Sequence, residues 1–237
     1  MLVVGLTGGI ACGKSTVSMR LKEQYKLPIV DADQIAREIV APGQDAYKKI
    51  VNHFQQKIPD LLQSDGKLNR QALGKWVFSN RDDLKVLNSI THPAIRYEIF
   101  RQILKYYLKG YKMCVLDIPL LFESKLDTFC GITISVICNE ETQLQRLRKR
   151  NPELSIEDAR NRIASQMPMS DRIKLSDFVI ENNDSIATLN AQLQGVISQI
   201  NPGFLRTTLE YFPPFGTVSA LAIVVTKYLR KRAVDKQ

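Results

Sequence analysis

Gly8-Gly9-Ile10-Ala11-Cys12-Gly13-Lys14-Ser15 reads G-x-x-x-x-G-K-S, and it stands directly behind the apolar run Leu2-Val3-Val4-Gly5-Leu6. Val17 and Leu21, four residues apart, begin a helical pattern just after it. Strand, glycine-rich loop and helix in that order are the context in which this motif holds phosphate. The glycines let the main chain fold round an anion, and successive amides point inward. Lys14 reaches the β- and γ-phosphates, and the Ser15 hydroxyl is placed for Mg²⁺. A bound nucleoside triphosphate follows; whether it is fuel, switch or phosphate donor does not.

Downstream, Pro28 precedes a second strand, Ile29-Val30-Asp31, which completes a βαβ unit. Ile35, Ile39 and Val40 restore helical spacing until Pro42-Gly43 stops it. A long, mainly helical stretch follows. In it Pro93 is expected to open a helix whose Ile95, Ile99, Ile103 and Leu104 make one stripe ending at Gly110. Strand patterns return at residues 113–118 and 132–138. Asn139 is placed to cap a helix through Arg150, and Ser155 with Asp158 to cap another reaching about Gln166 before Pro168. Phe178-Val179-Ile180 is a last short strand, and residues 184–200 form an amphipathic helix broken by Asn201-Pro202-Gly203. Strands alternating with helices give an α/β fold with a parallel sheet covered on both faces and ligands beyond the carboxyl ends of the strands. Asp31, Asp33 and Asp117 stand at such ends, where a carboxylate is either a helix cap or a partner for Mg²⁺.

The chain has 237 residues, which suits one core with inserted subdomains, and 44% are apolar, enough for a sizeable interior. Met1 leads straight into the first strand with no basic region before an apolar one, so no cleavable targeting signal is expected. Cys12, Cys114, Cys130 and Cys138 lack metal spacing and read as reduced intracellular thiols. The net charge of +9 gathers in two clusters, Arg146 to Arg150 and Lys227 to Lys236. Neither zinc-finger spacing nor interleaved aromatics accompany them, so nucleic acid is not an expected partner.

The ordered motifs resemble one family, the dephospho-coenzyme A kinases, over about the first two hundred residues. The resemblance is carried by the loop with Gly5-Leu6-Thr7 before it, by Asp31-Ala32-Asp33 with Ile35-Ala36-Arg37, and by His92-Pro93. It continues in Pro119-Leu120-Leu121-Phe122-Glu123, Thr142-Gln143-Leu144-Gln145-Arg146 and Phe178-Val179-Ile180-Glu181-Asn182-Asn183. What it implies is a three-layer P-loop kinase occupying residues 1–202. Its core would comprise residues 1–33, 111–139 and 175–202, with a helical substrate-binding insertion at 34–110 and a lid at 140–174. The implied reaction moves the γ-phosphoryl group of ATP to the ribose 3′-hydroxyl of dephospho-coenzyme A, with Mg²⁺.

The resemblance also assigns residues. Asp33 falls on the family's proposed general base, Arg146 on its catalytic lid arginine, and Asp117 on the acid closing the Walker-B strand, which with Ser15 would serve the metal. ATP would be held by the loop from Gly8 through Thr16, with Arg150 and Asn182. Thr7, Asp33, Arg37 and His92 are the expected substrate contacts, His92 being equally readable as a cap before Pro93. Chemically, a carboxylate at a strand end suits a base that orients a hydroxyl and takes its proton late, because phosphoryl transfer is loose and needs positioning first. Cys12 departs from the serine common in the family. Its thiol is expected either to be exposed and acidified by the loop amides and Lys14, and so alkylatable, or to be buried. His53, Trp76, Tyr106 and Tyr107 carry structural readings only.

Residues 203–237 extend past the resemblance. An uncharged run at 217–226 followed by Lys227, Arg230, Lys231 and Arg232 is too short to span a bilayer. It suits docking on the protein itself, on an intracellular membrane surface (endoplasmic reticulum or mitochondrial) or on another enzyme of coenzyme A synthesis through residues 212–237. The protein is otherwise expected in the cytoplasm. Two other functions fit the loop. A nucleoside monophosphate kinase would phosphorylate an acceptor already anionic, for which the Asp33 base is superfluous. The non-enzyme alternative is a nucleotide-binding switch or a non-catalytic binding module; a GTP switch would carry an N-K-x-D guanine-reading tetrad, which is absent.

Overall fold

Strand β1 (Leu2–Gly8) alternates in burial chemistry, with Leu2, Val4 and Leu6 on one face. It lies between β3 (Met113–Asp117) and β4 (Ile132–Ile137), parallel to both. β5 (Phe178–Glu181) pairs parallel to β4, and β2 (Ile29–Asp31) completes the five-stranded order β2-β3-β1-β4-β5. The first two strands in sequence are therefore not neighbours in space; β3 is inserted between them. The computed structural model describes residues 1–203 and, beyond them, Val225. The expected attachment role of residues 212–237 falls outside these described residues except at Val225. Among the described residues no helix is long and apolar enough to cross a membrane.

Two compact units divide the chain, Met1–Val30 with Tyr106–Gln237 and, separately, Asp31–Lys105. In the first unit, helices α1 (Lys14–Glu23) and α9 (Ile186–Ile200) cover one sheet face. Val17 and Leu21 of α1 and Leu189, Leu193 and Ile197 of α9 close a core with Leu6, Val115, Ile134 and Ile180. Burying such side chains contributes about 1.5–3 kcal/mol each relative to exposure. On the opposite face β1 presents Gly5 and Thr7, and β4 presents Thr133 and Ser135 beside them. Gly5 must lack a side chain, since a Cβ there would lie 2.7 Å from Cys130 Sγ and 2.8 Å from Leu121 Cδ2. Helices α6 (Glu140–Arg150), α7 (Ile156–Ala164) and α8 (Met169–Leu175) form the segment expected to be the lid.

The second unit holds α2 (Ala32–Glu38), α3 (Asp45–Phe54), α4 (Arg70–Ser79) and most of α5 (Arg81–Leu108). Ile50, Phe54, Leu61, Leu73 and Val77 make its core, with Leu84, Leu87 and Ile90 packed on it. Asp83 fastens three of its helices, accepting from Lys57 Nζ at 2.5 Å, Trp76 Nε1 at 2.7 Å and His53 Nε2 at 3.1 Å. These donors hold the Asp83 carboxyl well below the usual carboxylate range, Lys57 contributing most. The structural readings of His53 and Trp76 agree with this.

Pro93 does not open a helix; it lies inside the continuous 28-residue α5. A proline there removes one hydrogen bond, to the carbonyl four residues before. That residue, Ser89, is exposed, as is Pro93, so water can take the carbonyl and the helix continues. His92 consequently sits on an exposed turn of a helix and is no N-cap.

Candidate active site

The loop between β1 and α1 is shaped by residues that tolerate no substitute. A Cβ on Gly8 would stand 2.7 Å from Val136 O, and Gly13 has φ +92° with Asn182 Nδ2 2.2 Å from where its Cβ would be. Ala11 is also left-handed at φ 60°. Ile10 and Ala11 pack against a buried cluster of Leu147, Leu154 and Ala159, so the loop rests on the segment of α6 and α7. Two glutamines bracket Ile10: Gln166 Oε1 accepts its N–H at 2.7 Å, and Gln143 Nε2 donates to its carbonyl at 2.8 Å.

Side-chain caps close the N-termini of α2, α4, α6, α7 and α9, using Asp31, Asn69, Asn139, Ser155 and Ser185. Helix α1 has no such cap and no acidic residue in its first turn. The amides of Ala11, Gly13, Lys14 and Ser15 find no acceptor among the described residues. Unclaimed donors at the positive end of a helix, wrapped by a glycine loop, constitute an anion site. Not every loop amide is available, since those of Ile10 and Cys12 donate to Gln166 and to Gly9 O.

Lys14 Nζ pairs with Asp117 Oδ1 at 2.5 Å, the two side chains being only 18% and 7% exposed. The strand end of β3 thus holds a carboxylate directly under the loop lysine. The exposed hydroxyl of Ser15 makes no hydrogen bond among the described residues. One free hydroxyl and one carboxylate, joined by triphosphate oxygens and water, are the hard oxygen donors Mg²⁺ prefers, so these residues fit the ion.

Asn182, just past β5, donates Nδ2 to Cys12 O at 2.9 Å, while its own carbonyl accepts from Arg146 Nη1 at 2.8 Å. Arg146 is thereby tied to the loop through one residue. Arg150, exposed at the end of α6, reaches Asn151 Oδ1 at 3.4 Å and no other partner among the described residues. Thr16 N–H bonds Gly13 O within the first turn.

In the second unit, Asp31 is spent as the cap of α2, its Oδ1 accepting from Asp33 N at 2.8 Å and Gln34 N at 3.0 Å. The Asp33 carboxylate is exposed and unpaired among the described residues. Arg37 and His92 also present exposed side chains, and the Arg37 carbonyl accepts from Arg70 Nη2.

Two of the residues singled out in the sequence are buried. Thr7 is fully buried, its Oγ1 donating to Pro119 O at 2.8 Å and accepting from Arg172 Nη1 at 3.2 Å. Cys12 is 2% exposed, which settles its two readings for burial, and its pKa is lowered chiefly by Cys138 and by Arg172 and Arg146, not by Lys14.

Arg172 was not anticipated. It is 2% exposed and anchors α8 by reaching Thr7 Oγ1, Pro119 O and Glu123 Oε1, the last at 3.3 Å. Met167 N–H donates to the same Glu123 oxygen. A buried guanidinium needs such a set of acceptors, and Glu123 in P-L-L-x-E was the available signal.

A family model described as dephospho-CoA kinase matches residues 2–188. The dephospho-CoA kinase of Saccharomyces cerevisiae is 62% identical over 237 residues, covering 100% of this chain and 98% of that protein. The Bacillus anthracis dephospho-CoA kinase is 47% identical over 200 residues, which is 84% of this chain and 98% of the bacterial one. Among solved structures, dephospho-CoA kinase from Campylobacter jejuni is 32% identical with a TM-score of 0.64, covering 84% of this chain and 96% of that chain.

Proposed function

We propose a division of labour for this chain, which belongs to the dephospho-CoA kinase family and transfers phosphate from ATP to the ribose 3′-hydroxyl of dephospho-coenzyme A. The carrying observation is the uncapped start of α1, with free amides at Ala11, Gly13, Lys14 and Ser15 beside the Lys14–Asp117 pair. The triphosphate takes these amides, and Lys14 turns from Asp117 to the β- and γ-oxygens. Asp117, once released, and Ser15 would hold Mg²⁺, which would supply neutralisation of phosphate charge. Arg146, kept near the loop by Asn182, faces the transferring group. In a loose transition state the charge spreads over the equatorial oxygens, and fixed cations there supply most of the acceleration.

Asp33 orients the 3′-hydroxyl and accepts its proton as the O–P bond forms. Its support is the unequal use of D-A-D: Asp31 is consumed in capping, while Asp33 is left free. Arg37 and His92, exposed on the same unit, serve the substrate's pyrophosphate and hydrogen-bonding groups.

ATP turnover measured with dephospho-coenzyme A, AMP, CMP or adenosine as acceptor tests the reading. A sharp rise with dephospho-coenzyme A alone is expected; a preference for AMP or CMP would make the chain a nucleoside monophosphate kinase. The extension is assigned to attachment and not to catalysis. It lies past residue 188, where the family match ends, and its uncharged run and basic cluster suit an anionic membrane surface. Removing residues 204–237 should preserve turnover and abolish flotation with anionic liposomes. Unchanged flotation would remove the assignment.

A further inference from the structure

Cys12 and Cys138 are 126 positions apart in sequence, yet their sulfurs stand 3.3 Å from one another, Cys138 donating to Cys12. Cys138 directly follows β4 and precedes the Asn139 cap of α6, so one thiol belongs to the phosphate loop and its neighbour to the framework. Both are buried, but Cys12 forms part of the wall of a cleft of about 460 Å³, together with Gln143, Gln166, Met169 and Arg172. A small oxidant entering that cleft reaches Cys12 first. The Cys138 hydrogen bond, with Arg172 and Arg146 nearby, lowers the Cys12 pKa, while Cys138 is pushed up. An acidified thiol in the wall of a cleft, with a second thiol in contact behind it, has the arrangement of an attacking and a resolving cysteine.

We propose that Cys12 and Cys138 form a reversible disulfide when the protein meets a hydroperoxide, and that the cross-link weakens the loop's hold on ATP. The Cys12 thiolate attacks one peroxide oxygen and the O–O bond breaks. The leaving oxygen takes a proton to give water or an alcohol, and Cys12 becomes a sulfenic acid. The Cys138 sulfur then attacks the Cys12 sulfur, forming S–S and breaking S–O, and the hydroxide departs with the Cys138 proton as water. The thiol pair loses two electrons and the peroxide gains them. A disulfide is about 2.0 Å long, so the sulfurs must close by about 1.3 Å from their present contact.

Residue 12 is poorly placed to yield that distance without consequence. It lies between left-handed Ala11 and Gly13, its N–H is held by Gly9 O at 3.1 Å, and its carbonyl is held by Asn182. Drawing its Cβ toward β4 turns the two adjoining peptide planes, one of which carries the Gly13 amide that is free for phosphate.

The full chain, treated with hydrogen peroxide and digested without reduction, should yield the Cys12 peptide joined to the Cys138 peptide with two hydrogens lost. ATP affinity should fall about tenfold, or about 1.4 kcal/mol, and return on adding dithiothreitol. Cys138→Ser should bind ATP normally and lack this reversible loss. The cross-link map on unaltered protein decides the matter even if that variant folds poorly. Recovery of both thiols free for alkylation after peroxide, or a cross-link to Cys114 or Cys130, overturns the proposal. A Cys12–Cys138 bond that leaves ATP affinity unchanged overturns its inhibitory half. Neither readout involves dephospho-coenzyme A, so failure here is separable from failure of the kinase assignment.

Discussion

Lys14→Ala is expected to lower kcat/KM for ATP by about 10³-fold, the scale seen when a preorganised group stabilising transition-state charge is removed. Both ground-state binding and transfer should suffer, because Lys14 is asked to meet β- and γ-oxygens throughout the reaction. The same substitution has a second effect that a purely catalytic role would not produce. Asp117 is 7% exposed, and Lys14 is its ion-pair partner at 2.5 Å. Removing one member of a buried pair leaves a carboxylate without compensation, costing about 3 kcal/mol at the low end of the usual range because Lys14 keeps partial solvent contact. Thermal unfolding of nucleotide-free protein should therefore shift downward. Asp117→Asn added to Lys14→Ala should restore much of that stability while leaving transfer abolished. If activity returned with stability, the lysine would be a structural partner of Asp117 and not a phosphate ligand.

This pairing explains why the phosphate loop was legible in sequence while its surroundings were less so. The loop, its strand and its helix are contiguous, and G-x-x-x-x-G-K-S dictates local conformation directly. Caps at Asn139 and Ser155 were likewise readable, since each bonds an amide three residues ahead. Arg172 was not, because its partners Thr7, Pro119 and Glu123 lie 165, 53 and 49 residues away and meet only on folding. Helix α8 escaped for a related reason. It has seven residues and too little length for an apolar period, although Pro168 before it and Asp171 in its first turn were usable signals. At Pro93 the rule that proline begins helices gave way to the packing of Leu84, Leu87 and Ile90, which fixes the preceding turns in the helical core. Gln143 and Gln166 carry no sequence signature for holding Ile10, since glutamine is ordinary on any helix surface.

Asp33→Asn should separate binding from chemistry. The substitution preserves size and shape, and the Asp33 carboxylate has no ion pair or hydrogen bond among the described residues whose loss would disturb the fold. Its main-chain N–H remains held by Asp31. ATP affinity is therefore expected to stay unchanged while kcat falls about 10²–10³-fold, within the range for a positioned proton acceptor. The loss should not approach that of a missing nucleophile, because in a loose transition state the hydroxyl proton leaves late and aiming the oxygen matters more. Asp31→Asn is the matched control: asparagine caps a helix about as well as aspartate, so that variant should keep both stability and turnover. A fall in kcat for Asp31→Asn equal to that for Asp33→Asn would mean that negative charge anywhere in D-A-D suffices. Normal turnover in Asp33→Asn would remove this carboxylate from the mechanism and leave the lysine, the arginine and the loop amides to perform the transfer without a base.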